Sequence, residues 1–181
     1  MPLEKVVENI VNDSAVALTQ EFDRNFERKA FFDRKWASTR LINKRGSIMA
    51  RSGKLRRSVN KSVSGTSISW NSSLPYASIH NEGGEIEVTA KMKKFFWAMY
   101  YKSSGGITKT KKGETRNNVR NTSLTIEAKQ WKSLALQPVG TIMNIEQRQF
   151  VGWHPKVDIT IRKIATFNIQ EVNNKIANKL K

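Results

Sequence analysis

The sequence predicts an α+β domain in which long N-terminal and C-terminal amphipathic helices pack with a small antiparallel sheet. Three observations support this prediction. Apolar residues recur every three or four positions near both ends, short alternating stretches lie between them, and turn-forming residues bound those stretches. The 181 residues fit one domain, 1–181. The absence of cysteine excludes disulfides and thiolate metal sites.

The first thirty residues predict one amphipathic helix. Acidic residues come early and basic residues late in this segment, which suits the helix dipole. A polar and basic connector is predicted from Asp33 to Gly53. The apolar residues that share one face of the helix are Val7, Val11, Ala15, Leu18, Phe22 and Phe26.

The centre of the chain predicts strands separated by turns. Residues 54–71 take on strand character and predict a hairpin that turns at 64–67. Residues 75–80 predict a short helical turn that ends at Gly83 and Gly84, where glycine permits positive φ. The later elements are a strand at 85–89, a helix at 90–101 that Thr89 could cap, a helix at 124–136, a strand at 141–150 and a helix at 156–180.

The middle of the chain is strongly basic. The chain has 32 basic and 15 acidic residues, a net charge of +17, and residues 51–138 hold 16 of the basic and 5 of the acidic ones. Residues 102–120 are rich in glycine, lysine and asparagine and predict a long, mobile loop or insertion. We expect this loop to contact DNA or an acidic protein; a solvated face is the alternative. The predicted contact residues are Lys109, Lys111, Lys112, Arg116 and Arg120.

Lysines and aromatic residues are interleaved over residues 91–101. Such a composition can bind single-stranded nucleic acid by stacking and phosphate contacts. The alternative is a helix whose rings pack inward while its lysines face solvent. The residues concerned are Lys91, Lys93, Lys94, Phe95, Phe96, Trp97, Tyr100 and Tyr101.

The sequence offers little support for catalysis. His80 and Glu82, with His154 and Asp158, could supply two imidazoles and two carboxylates, but their spacing suits one metal ion poorly. A His80 ring that hydrogen-bonds backbone groups in the turn is the favoured interpretation. We therefore expect a non-enzymatic protein without cofactor or metal. The chain lacks a long apolar run and a secretory-signal pattern, so we expect no membrane association and synthesis in the cytoplasm.

Four segments resemble successive landmarks of the phage virion-morphogenesis, or tail-completion, family. They are Trp36, the "SG-L-R-S" segment 52–58, the "YA-IH--GG" turn 75–84 and the "R-F-G" segment 147–152 before a terminal helix. Their order and rough spacing hold across residues 30–170. The basic segment 102–120 looks like an insertion relative to shorter family members.

The resemblance implies a structural virion protein in the tail or neck of a tailed bacteriophage, assembled in the host bacterial cytoplasm. It would act in tail completion or head–tail joining, as a ring or small oligomer with tail-terminator, tail-tube or connector proteins. Nonspecific contact with genomic DNA is a further expected interaction of this structural protein. The alternatives are a sequence-nonspecific nucleic-acid-binding protein and a nuclease that uses His80 and Glu82.

The landmarks are interpreted as determinants of the fold and not of chemistry. Glycines supply turns, and apolar side chains anchor the core. The residues predicted to determine the fold are Trp36, Leu55, Tyr76, Ile79, Gly83, Gly84, Phe150 and Gly152.

Overall fold

The computed structural model describes residues 3–39 and 48–179, and within them helices dominate over short antiparallel strands. The predicted α+β class is confirmed. In chain order the elements are α1 (Leu3–Arg28), β1 (Ala30–Phe31), β2 (Arg34–Lys35), α2 (Lys54–Ser58), β3 (Val59–Ser64), β4 (Ser67–Ser72), α3 (Ala77–Glu82), β5 (Gly84–Glu87), α4 (Ala90–Gly105), α5 (Val119–Leu136), β6 (Ile142–Ile145) and α6 (Pro155–Lys179).

The described strands form three separate two-stranded antiparallel pairs, β1–β2, β3–β4 and β5–β6. In β3–β4, Val59 pairs with Ser72 and Ser64 with Ser67. Most side chains of β3 are exposed, so this strand buries little apolar surface. The predicted sheet is therefore divided into three separate ribbons, of which β1–β2 and β3–β4 both contact α1.

The described residues separate into two compact units. The first unit contains residues 3–38, 48–83 and 146–179, and the second contains Thr39 and residues 84–145. The prediction of one domain over 1–181 concerns cooperative folding and stays a prediction. None of the helices within the described ranges is long and apolar enough to cross a membrane.

The two terminal helices, α1 and α6, follow the predicted bounds closely. The buried face of α1 contains five of the six residues predicted for it, whereas Val7 is 38% exposed and Val6 is buried in its place. The helices pack against each other, and Asn168 of α6 donates a hydrogen bond to Asp13 of α1 at 3.0 Å.

Several predicted boundaries differ from those in the structure. Residues 54–58 form the helical turn α2 and not a strand, since Gly53 has a φ of 69° and its carbonyl accepts a hydrogen bond from the Arg57 amide. The strand predicted at 141–150 ends at Ile145 because later backbone groups bond to α3. The two-residue strands β1 and β2 were not predicted, and residues 40–47 of the predicted connector lie outside the described residues.

The core of the first unit is aromatic. Phe22 of α1 contacts Phe31, Phe32 and Trp70, with the Trp70 ring 5.0 Å away edge-on. A second cluster adjoins it along α1 and contains Phe26, Trp36, Leu55, Ala77 and Phe150.

The second unit is a helical hairpin with a strand pair at its base. α4 and α5 pack along each other, and Phe96 of α4 stacks on Trp131 of α5 at 6.0 Å. The Thr89 hydroxyl accepts a hydrogen bond from the Met92 amide and caps α4, as predicted. Val88, which follows β5, is fully buried.

Candidate partner-binding surfaces

All four sequence landmarks contribute to one buried cluster of the first unit. The carbonyl of His80 in α3 accepts a hydrogen bond from the Arg148 amide at 2.8 Å. The Asn81 side-chain oxygen accepts hydrogen bonds from the amides of Phe150 and Val151, at 2.9 and 3.1 Å. The end of the "YA-IH--GG" turn therefore fixes the path of the "R-F-G" segment.

Two further side chains hold the same segment from α1 and the connector. The Trp36 indole donates a hydrogen bond to the Gln149 carbonyl at 2.6 Å. Asn25 is fully buried: its amide donates to the Phe150 carbonyl at 3.1 Å, and its oxygen accepts from the Phe32 amide at 3.0 Å. These hydrogen bonds tie the "R-F-G" segment to α1 and to the connector.

The residues predicted to determine the fold occupy three kinds of position. Trp36, Leu55 and Phe150 are buried together in the second cluster. Tyr76 is 40% exposed and lies edge-on to the His80 ring, and Ile79 is half-buried. The backbone is at positive φ at Gly83, Gly84 and Gly152. Their weight in folding stays a prediction.

His80 does not have the environment predicted for it. Its Nδ1 is buried and has no hydrogen-bond partner among the described residues. Burial, reinforced by the charges of Arg148 and Arg51, lowers the pKa of the imidazole.

The two histidines do not form a metal site within the described part of the chain. No group of three or more potential ligands from histidine, aspartate and glutamate is found there. His154 instead stacks on Phe32 at 4.6 Å, and its Nε2 lies 3.2 Å from Asp33. Lys156, and to a smaller extent His154, holds the pKa of Asp33 below its usual range.

An ion-pair cluster joins α1 to α2. The Arg56 guanidinium donates to both Asp23 and Glu27, and these hydrogen bonds raise the pKa of Arg56. The cluster lines a groove of about 390 Å³ together with Phe22 and Val59. Because Arg56 is paired with Asp23 and Glu27, we interpret this groove as the place where α1 and α2 are joined and not as a binding site.

The segment between α4 and α5 is a hydrogen-bonded turn, shorter than predicted, because α4 continues to Gly105 and α5 begins at Val119. Lys109 and Thr115 form an antiparallel bridge. The Thr110 amide donates to the Glu114 carbonyl at 2.7 Å, and Gly113 has a φ of 81°, which closes the turn. We call residues 107–120 the basic hairpin.

Asn121 fixes the base of the basic hairpin. It is 1% exposed. Its side-chain oxygen accepts from the amide and the hydroxyl of Thr108, and its side-chain amide donates to the carbonyls of Thr108 and Arg116, both at 2.8 Å. Both halves of the hairpin are therefore tied to one buried side chain.

The predicted contact residues are all exposed on the basic hairpin. The Arg116 Nε donates to the Lys109 carbonyl at 3.1 Å, which places these two residues side by side. Among the described residues, none of the five cations forms an ion pair. These are Lys109, Lys111, Lys112, Arg116 and Arg120.

The interleaved aromatic residues of α4 divide between the two predicted environments. Phe96 packs inward against α5, whereas Phe95 and Tyr101 are 54% and 63% exposed. The Trp97 and Tyr101 rings stack on each other at 5.9 Å, so part of each ring face is already covered.

The outer surface of α6 is rich in exposed apolar residues. Ile159 and Phe167 border a shallow groove whose other walls include Arg162 and Lys163. We define the α6 outer surface by the two large exposed apolar residues that border this groove, Ile159 and Phe167. Each is about half exposed or more.

The buried asparagines Asn25 and Asn121 were missed by the sequence analysis. The burial of Asn25 could have been predicted from its position, because it lies three residues after Phe22 and next to Phe26 on the apolar face of α1. Nothing in the sequence predicts the burial of Asn121, since an asparagine near the start of a helix is usually interpreted as a cap or turn residue.

Comparison with known proteins gives one match. A model of the phage virion morphogenesis family matches residues 10–124, which is more than half of the chain and includes the basic hairpin. No curated protein and no solved structure gives a significant match. The match supports the resemblance seen in the landmarks up to the turn at 75–84. The chain belongs to the phage virion morphogenesis family.

Proposed function

We propose that this protein is a non-enzymatic structural component of the tail or neck that acts in tail completion or head–tail joining. It assembles as a ring or small oligomer and contacts tail-terminator, tail-tube or connector proteins. The observation that carries this proposal is membership in the virion morphogenesis family. The four sequence landmarks, which resemble those of tail-completion proteins, are the basis for proposing the more specific role in tail completion.

The α6 outer surface supports the oligomeric part of the proposal. Ile159 and Phe167 are exposed beside each other on the same groove, and Phe167 is the more exposed of the two at 62%. Contiguous exposed apolar surface commonly marks a protein-binding site. Arg162 and Lys163 beside the groove would form the polar rim that such interfaces possess.

The oligomer is tested with the purified full-length protein by light scattering after size exclusion and by negative-stain microscopy. We expect assemblies larger than a monomer at micromolar concentration. Ile159→Ser combined with Phe167→Ser should shift the mass toward the monomer. Val63→Ser, which removes an exposed apolar residue from the polar β3–β4 hairpin, is the control and should leave the mass unchanged. A monomeric wild-type protein at high concentration contradicts the oligomer.

The role in assembly is tested by deleting the gene in the phage or prophage that encodes it. We expect separate filled heads and tails in the lysate under the electron microscope. The protein supplied from a plasmid should restore joined particles. Normal yields of infectious particles without the protein would contradict the role.

A further inference from the structure

We propose that the basic hairpin is a preorganised arm that binds the sugar–phosphate backbone of duplex DNA without reading its sequence. This inference names one partner for the five contact residues and does not depend on the oligomer proposed above. It rests on three properties of residues 107–120: their hydrogen-bonded backbone, their excess of positive charge and their amino-acid composition.

The order of the basic hairpin lowers the cost of binding. A structureless basic loop would lose conformational freedom when it settles on a partner. Here the turn is closed by the Thr110–Glu114 hydrogen bond, and Asn121 ties Thr108 to Arg116 before any partner arrives. The cations are therefore presented on a fixed backbone.

The charge of the basic hairpin is unbalanced. Five exposed cations accompany one carboxylate, Glu114, and within the described residues none of the five is neutralised by an ion pair. Lysine and arginine side chains that neutralise phosphates release condensed counterions, which drives sequence-independent binding to duplex DNA.

The composition of the basic hairpin favours DNA over an acidic protein. Protein interfaces have apolar and aromatic centres and contain little lysine, whereas this surface has three lysines and no aromatic residue. Its other polar groups are hydroxyls and amides, as at Thr110, Thr115 and Asn117, which are common donors to DNA phosphates. The lack of aromatic residues on the hairpin also disfavours single strands, since these bind by base stacking.

The number of cations sets the expected salt dependence. Each phosphate contact contributes about −0.9 to the slope of log K against log salt concentration. Five contacts give a slope near −4.5, so the affinity should fall by roughly 500-fold between 50 and 200 mM salt. Two unrelated duplexes of equal length should bind equally, because backbone contacts carry no sequence information.

The test measures fluorescence anisotropy of labelled 30-base-pair duplexes with the full-length protein over this salt range. Lys111→Gln combined with Lys112→Gln should weaken binding by roughly tenfold or more at low salt and reduce the slope by about 2. Lys129→Gln combined with Lys132→Gln is the matched control, because these exposed lysines lie in later turns of α5, beyond the basic hairpin, and the net charge changes equally. The control should retain the slope.

Four results would overturn the proposal. They are unchanged binding by the hairpin variant, an equal loss in the control, preference for a single strand of the same length, and stronger competition by polyglutamate than by unlabelled duplex. A protein that binds duplex as expected but remains a monomer supports this inference and contradicts only the oligomer. Circular dichroism of both variants should match the wild type, and loss of helix signal in the hairpin variant alone would also count against a surface role.

Discussion

Asparagine side chains hold the irregular segments of this protein in place. Asn25 and Asn81 fix the segment at Phe150, and Asn121 fixes the basic hairpin. Buried amides are expensive unless all of their polar atoms are bonded. The partner of Asn25 lies 125 residues away, and pattern analysis of neighbouring residues cannot show such a contact. The candidate cations of the hairpin could be named from the sequence, but not the side chain that orders them.

Replacing Asn25 with alanine should destabilise the first unit. The Phe150 carbonyl and the Phe32 amide would lose their partner in a fully buried position, at a cost of roughly 2–4 kcal/mol in the free energy of unfolding. Urea denaturation followed by circular dichroism measures this change. Asn60→Ala is the control, since Asn60 is exposed, and it should cost less than about 0.5 kcal/mol. Equal effects would show that the buried amide has no special role.

His80 should make stability depend on pH. Its pKa is lower in the folded chain because of burial and of the charges of Arg148 and Arg51. The unfolded state therefore binds more protons, so the free energy of unfolding falls as the pH drops through the ordinary histidine pKa. His80→Gln should lose less stability than the wild type between pH 7.5 and 5.5 in urea titrations. His154→Gln is the control and should retain the loss of stability that His80 causes as the pH falls. A wild type whose free energy of unfolding does not change between pH 7.5 and 5.5 would contradict the lowered pKa of His80.

At the scale of elements, the helices were predicted better than the strands. A periodic face such as that of α1 is repeated over seven turns, whereas β1 and β2 have two residues each and no pattern to detect. The β3–β4 hairpin was predicted, but its docking was not. Trp70 packs against Phe22, and its indole donates to the Thr19 hydroxyl at 2.9 Å, so one side chain anchors a mostly polar hairpin on α1.

Trp70→Ala should loosen the β3–β4 hairpin selectively. We expect a loss of roughly 2–3 kcal/mol, less than for a fully buried tryptophan, because Trp70 is half-buried. Hydrogen exchange should rise most at residues 59–72. Trp70→Phe keeps the ring contact and loses the hydrogen bond, so its effect should be intermediate. A uniform rise over the first unit would contradict the anchoring role.

At the scale of the whole molecule, the sequence predicted one domain, and the structure shows two compact units. Composition gives no sign of this division, because residues 84–145 contain no linker-like boundary and the chain returns to the first unit after Ile145. Cooperative folding remains to be measured. If the chain is one domain, peptides from both units should lose hydrogen-exchange protection at the same urea concentration. Two separate midpoints would contradict the prediction.

The strand pair at the base of the second unit has a consequence for how the protein tolerates change in length. Gly84 pairs with Ile145, so the polypeptide departs and comes back at neighbouring points. This pairing continues through Val88, which exchanges backbone hydrogen bonds with Gly140 and Thr141. Changes in length at the basic hairpin lie at the other end of α4 and α5 and leave it intact. We therefore expect the cationic tip of the second unit to accept insertions and deletions, because the two ends of the segment stay joined by β5 and β6.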